Sequence, residues 1–219
     1  MNRSISNIIN TTKMSRFISN KKKDGEYHRE ISIKDLDAPI TILMGPNGTG
    51  KSMSILNMVE EIKSQKDARY VRYSTSRDDI VTTGTGPFNF DPSALAYAYA
   101  SEGERMIGSF QKWANSKMLE KIMTNKDELY VIIDEADSGL SIDRLMQSLI
   151  PLKDIIKMEL AKGRKLHFVF TVNSYEMLEV LQSDITEIIW VPTKEKIEID
   201  NYEEFKSLYT YYYDRYYED

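Results

Sequence analysis

Residues 45–52 read GPNGTGKS, and an adjacent acid pair, Asp134–Glu135, ends the apolar run LYVIID at 129–134. The first stretch has the makings of a phosphate cradle. Gly48 and Gly50 let the backbone turn so that successive N–H groups point at one anion, and a helix opening near Lys51 adds its positive end. Gly45, Pro46, Asn47 and Thr49 complete the loop. Lys51 is expected to reach the β- and γ-phosphates of ATP, and Ser52 to offer its hydroxyl to Mg²⁺. Two carboxylates at the tip of a buried strand are costly unless something uses them. Asp134 is expected to orient a water on the metal, and Glu135 to polarise the attacking water beside the γ-phosphate. That pairing favours ATP hydrolysis over phosphoryl transfer. Two plainer readings stand beside these: a glycine turn for the loop, and a helix cap for the acids.

The elements that must position these residues follow from periodicity. Residues 37–45, 68–74, 129–134, 165–173 and 187–192 read as strands, several of them continuously apolar as in a parallel sheet buried on both faces. Residues 26–33 alternate and read as a further, antiparallel strand. Helical spacing appears at 51–63 (Ile55, Val59, Ile62) and 103–124 (Ile107, Phe110, Trp113, Met118, Ile122), and again over 141–161, 174–182 and the Tyr-rich end of the chain. Pro151 falls inside 141–161 and predicts a kink or break. Residues 77–93, rich in Gly, Pro, Thr and Asp, read as loop or a short hairpin. The alternation of strands and helices predicts an α/β phosphate-loop NTPase fold: a mainly parallel sheet flanked by helices, a small helical region near residue 101 and a short N-terminal antiparallel part. The expected division is a basic arm over 1–25, an ATPase domain over 26–200 and an acidic Tyr-rich helix over 201–219.

Composition narrows the function classes. The 219 residues are 41% hydrophobic and 29% charged, which suits a globular chain. No stretch approaches the roughly 18 apolar residues of a membrane helix. There is no cysteine and there are only two histidines, His28 and His167, which excludes thiol catalysis and argues against a zinc site. A cytoplasmic location is expected, without membrane insertion. The net charge is −5, but residues 1–23 carry six bases and no acid. That arm reads either as a solvated terminus or as a contact for DNA phosphates. The segment 201–219 reads either as a helix packed on its own domain or as a docking surface for a protein partner.

The ordered motifs resemble the ATP-binding-cassette class of ATPases, in its soluble branch with the RecF and SMC head domains. GPNGTGKS looks like that family's Walker A, and YVIIDEADSGLS like its Walker B running into the D-loop. SEGER at 101–105 resembles the signature that opens a helix between them, and FVFTVNSYEML at 168–178 resembles the switch region. The resemblance implies an ATP-dependent head-to-tail dimer. Ser101, Gly103 and Glu104 would meet the partner's nucleotide, and Ser138, Gly139, Leu140 and Ser141 would form the cross-dimer D-loop contact. An ordinary helix cap is the alternative for SEGER. The intervals between motifs hold no coiled-coil arms, so the chain looks like a minimal head.

Three departures from that pattern stand out. The switch residue, His in the family, is Asn173 here, and Asn carries no positive charge. Slow or partner-dependent hydrolysis follows. Ser141 stands where the D-loop usually has Asp, with Asp143 two residues later. No glutamine fits the Q-loop: Gln65 falls early, Gln111 late, and residues 74–80 occupy its place. The expected role is an ATP-switched dimer in a DNA-linked process such as repair, replication or phage–host conflict. The alternatives are an ATPase subunit that docks through its C-terminal tail and, more distantly, a transporter cassette.

Overall fold

A computed structural model describes residues 31–74, 102–135, 137 and 142–217, with the side chains of 102–106, 142, 145 and 215–217 outside that description. The strands are β1 (Ile40–Met44), β2 (Ala68–Ser74), β3 (Glu128–Asp134), β4 (Leu166–Val172), β5 (Thr186–Trp190) and β6 (Glu195–Ile197). The helices are α1 (Lys51–Ser64), α2 (Glu102–Trp113), α3 (Leu119–Thr124), α4 (Ile142–Ala161), α5 (Tyr175–Leu181) and α6 (Tyr202–Tyr217). A π-helical turn, Ala114–Met118, joins α2 to α3.

The described strands form one sheet in the order β2-β3-β4-β1-β5-β6. All neighbours are parallel except the β5–β6 pair. The fold is thus an α/β phosphate-loop fold with a mostly parallel sheet. Its antiparallel pair lies at the β6 edge, whereas the antiparallel strand expected near the N-terminus falls largely on 26–30, outside the described residues.

Strand periodicity divides the core into two layers, because successive side chains point to opposite faces. Ile42, Met44, Ile133, Phe168 and Phe170 face one cluster, which α2 and α3 close with Phe110, Trp113 and Ile122. Leu149, Leu152 and Ile156 of α4, Leu178 and Leu181 of α5, and Phe205 and Leu208 of α6 complete that layer. Leu43, Ile132 and Val169 face the other cluster, closed by Ile55, Met58, Val59 and Ile62 of α1. Each such side chain contributes about 1.5–3 kcal/mol when fully buried. This two-sided burial is why the strands read as continuous apolar runs rather than alternating ones.

Two expectations need correction, and one element is new. The described end of the strand expected over 26–33 is a capped 3₁₀ turn, Ile33–Asp35. Ser32 accepts from Lys34 N–H, and Asp35 accepts from Ser32 N–H at 2.8 Å. That local polar satisfaction overrides the alternation, and Ile31 and Ile33 reach the core without pairing. Pro151 does not interrupt α4, which runs 20 residues through it. Pro151 is exposed, and the buried stripe Leu149, Leu152 and Ile156 holds the helix across the missing N–H. The short strand β6 was not anticipated. It follows a turn in which Lys194, at φ 60°, donates its N–H to Trp190 O at 2.7 Å.

The described part of the Tyr-rich end, α6, packs on the domain. Tyr209 meets Trp190 edge-on with ring centroids 5.3 Å apart, and Phe205 lies 4.6 Å from Tyr209. Tyr202 and Tyr213 stay exposed. Among the described residues, no helix is long and apolar enough to cross a membrane.

Candidate active site

Parallel β1, β3 and β4 end on one edge of the sheet, the edge where open α/β sheets bind ligands. The loop 45–50 leaves β1 there, Asp134 and Glu135 end β3, and Asn173 and Ser174 follow β4. Because β4 lies between β1 and β3, Asn173 emerges between the glycine loop and the acid pair.

The loop is built on left-handed backbone. Gly48 and Gly50 sit at φ 83° and 94°, a region that side chains rarely adopt. Gly50 caps α1, and its carbonyl accepts the first helical N–H from Ser54 at 2.9 Å. The Thr49 hydroxyl donates to Pro46 O at 2.8 Å and braces the turn. Lys51, the first residue of α1, is 5% exposed and donates from Nζ to Gly45 O and, at 3.1 Å, to Pro46 O. An ammonium has three donors, so one is left for an anion. Burial pulls the Lys51 pKa below its ordinary 10.5, while the charges of Glu135, Asp137 and Asp134 oppose that pull. Ser52 is exposed on the first turn.

The two acids of the pair occupy different environments. Asp134 is 2% exposed, with both oxygens engaged. Oδ2 accepts from Arg72 Nη2 at 2.6 Å, and Oδ1 accepts from the Thr171 hydroxyl at 2.8 Å. Glu135 is half-buried and sits at φ 57°, rare for a residue with a Cβ. Its N–H donates to Thr171 Oγ1 at 2.7 Å, which holds the turn. Left-handed backbone of this kind costs roughly 1–2 kcal/mol and concentrates at functional positions. The turn aims Glu135 into a cleft of about 450 Å³, lined also by Asn47, Gly48, Asp137, Asn173 and Ser174.

Asp137 joins β3 to β4 at this edge. Its Oδ2 accepts the N–H groups of Asn173 and Ser174 at 2.7 and 2.8 Å, and its Oδ1 accepts from Asn173 Nδ2 at 3.4 Å. Ser174 in turn accepts from Met177 N–H and caps α5.

The structure therefore brings Asn47, Gly48, Glu135 and Asn173 to one cleft, with Lys51 at the adjoining start of α1 and Asp134 buried next to Glu135. Gly103 and Glu104 lie in α2 (Glu102–Trp113). Ser101 and the D-loop residues Ser138, Gly139, Leu140 and Ser141 lie outside the described residues, as does 75–80 in the Q-loop interval. Asp143 is exposed near the start of α4, and Gln65 is the C-cap of α1.

Sequence reasoning missed three contributors: Arg72, Asp137 and Thr171. The signal for Thr171 was a lone hydroxyl inside HFVFTV, since a buried hydroxyl needs partners. Arg72 and Asp137 carried no comparable signal, because their partners depend on strand order.

The oxygens on offer here are of the type a magnesium ion takes. The donors are hard oxygens, from the Ser52 hydroxyl and the acid pair. No group of three or more acids or histidines that could hold a metal occurs among the described residues. Mg²⁺ suits such a site, because it keeps several waters and takes other oxygens from substrate phosphates.

No curated protein matches the chain. Among solved structures, it is similar to Cdc6p from Pyrobaculum aerophilum, at 14% identity and a TM-score of 0.40, over 73% of this chain and 39% of that one. PCH-2 from C. elegans gives 15% identity and 0.37, over 68% of this chain and 34% of that one. A nucleotide-free ATP-binding cassette from an ABC transporter gives 14% and 0.36, over 78% and 84%. The chain thus spans well under half the length of the first two. The AAA domain family matches residues 34–181, which run from the turn before β1 to the end of α5 and contain the loop, the acids and Asn173. The chain belongs to the AAA domain family.

Proposed function

We propose that the protein binds ATP at the loop 45–52 and hydrolyses it slowly, using the nucleotide as a switch. The observation that carries this reading is the cleft in which Glu135 and Asn173 face Asn47 and Gly48 of the loop. In this reading the loop N–H groups and Lys51 hold the β- and γ-phosphates. Glu135 accepts a proton from the attacking water, and the Asn173 carboxamide orients that water or the γ-phosphate. Asp137 fixes the Asn173 backbone, and Thr171 fixes the turn at Glu135. Mg²⁺, held through Ser52 and by way of Asp134, would neutralise charge on the phosphates. Asn173 supplies no positive charge, which supports a slow rate.

The finer reading is an ATP-dependent homodimer of the RecF/SMC-head type, with Ser101, Gly103 and Glu104 acting on the partner's nucleotide. It rests on the order of the motifs along the sequence, with Gly103 and Glu104 in α2. A DNA-linked role rests on the six bases of 1–23. The competing reading, docking of a protein partner through 201–219, is left with less surface, because Phe205, Leu208 and Tyr209 pack inward.

Fluorescent ATP titration and light scattering test both levels. Wild type should bind ATP and double its mass with it, and Lys51→Ala should lose binding. A wild-type chain that binds no ATP refutes the coarse reading. One that binds but stays monomeric refutes the dimer. DNA retention that requires ATP and disappears on deleting 1–23 supports the DNA-linked role, and no retention at low salt with ATP present contradicts it.

A further inference from the structure

Arg72 is the least expected neighbour of the acid pair. It lies on β2 two residues before Ser74, which is in register with Asp134. Its guanidinium meets Asp134 Oδ2 at 2.6 Å, and the two side chains are 14% and 3% exposed. Thr171 occupies the other oxygen. A guanidinium stays protonated at any working pH, so this partner is a permanent cation. Its planar fork and weak hydration suit a buried ion pair better than a lysine does.

The consequence concerns the metal. A carboxylate that already holds a buried cation presents a reduced field to a second one. Partners that contact a metal-holding group typically change metal affinity by about 10–100-fold. Most such partners are acceptors that strengthen the ligand, whereas Arg72 is a cation and acts with the opposite sign. We propose that Arg72 is a built-in competitor for the divalent ion, which keeps Asp134 from holding that ion before the nucleotide arrives. Metal then enters with the nucleotide, whose phosphates supply the missing charge. Arg72 is in this sense a positioning and tuning residue that touches neither substrate nor metal. The inference rests on the nucleotide-site reading above.

The test measures metal binding rather than turnover. Mn²⁺ is titrated against the full chain, both free and saturated with ADP, and followed by electron paramagnetic resonance, with ADP binding measured separately in EDTA. Arg72→Gln is expected to tighten Mn²⁺ by about tenfold or more, with ADP binding in EDTA unchanged. Arg72→Lys keeps the charge and should stay near wild type. Thr171→Val loosens Asp134 without removing a cation and should not tighten Mn²⁺. Arg72→Met, of similar length and apolar, repeats the test if the Gln variant fails to fold. Unchanged or weaker Mn²⁺ binding in both Arg72→Gln and Arg72→Met overturns the proposal and leaves the nucleotide reading intact. A wild-type chain that binds no ADP either in EDTA or with excess Mg²⁺ overturns both.

Discussion

Removing the Asp137 carboxylate perturbs a side chain that, with Thr171, ties the ends of β3 and β4 together. It accepts two short backbone hydrogen bonds, from Asn173 at 2.7 Å and Ser174 at 2.8 Å, and a longer one from the Asn173 carboxamide at 3.4 Å. Hydrogen bonds to a charged group are worth about 1.5–3 kcal/mol each. The three residues are half-buried, so water recovers part of that in the variant. About 1 kcal/mol for each short bond, plus a few tenths for the anion at the start of α5, gives about 2–3 kcal/mol for Asp137→Ala. For a domain of this size that lowers the melting temperature by about 5–10 °C. Asp137→Asn keeps one acceptor oxygen and should lose about half as much. The functional readout separates positioning from folding. Because Asp137 orients Asn173 and does not belong to the loop, kcat should fall while the KM for ATP stays near wild type. Calorimetry and steady-state ATP hydrolysis provide the measurements. An Asp137→Ala protein that melts within about 1 °C of wild type and turns over normally would refute the link between Asp137, Asn173 and the cleft.

Lys51 gives a pH signature. Burial holds its pKa below the ordinary 10.5, so part of the Lys51 population is neutral at alkaline pH just under that value. The free fold is therefore favoured as pH rises through the lowered pKa, and phosphates reverse this by favouring the ammonium. Nucleotide binding should take up protons in that range, as calorimetry in two buffers of different ionisation heat will show; no uptake contradicts a buried Lys51 meeting the phosphates. Phe205 is 9% exposed and packs on Tyr175 and Tyr209. Phe205→Ala should cost about 3–4 kcal/mol in denaturant unfolding. Truncation after residue 200 should destabilise the domain by at least as much, so a pull-down with that truncation needs a stability control. An unaffected truncated domain would show that α6 is an appendage.

The legible parts of the fold were those decided by local pattern. The phosphate loop could be read because its glycines are needed at φ 83° and 94°, and few sequences supply them before a Lys-Ser helix start. The buried strands could be read because both faces are covered and apolar residues run on without alternation. The ends were harder. Ile31 and Ile33 alternate with polar residues as a strand would, yet Ser32 and Asp35 close a capped turn. Pro151 signals a break that the packed face of α4 overrides. At the site, single letters indicated which residues carry chemistry but not which ones hold them. Arg72 reaches Asp134 only because β2 neighbours β3, and Asp137 reaches Asn173 only because β4 does. The cassette expectation made Asn173 a missing histidine. In the structure it is the polar residue at the tip of the strand between loop and acids.

The most direct test of the central claim is a single-turnover measurement on Glu135→Gln with radiolabelled ATP. The variant keeps the shape at φ 57° and loses only the base. It should bind ATP as tightly as wild type and hydrolyse it about 10²–10⁴-fold more slowly. Hydrolysis at the wild-type rate, with binding intact, would contradict the assignment of Glu135 and with it the reading of this cleft as the site of ATP hydrolysis.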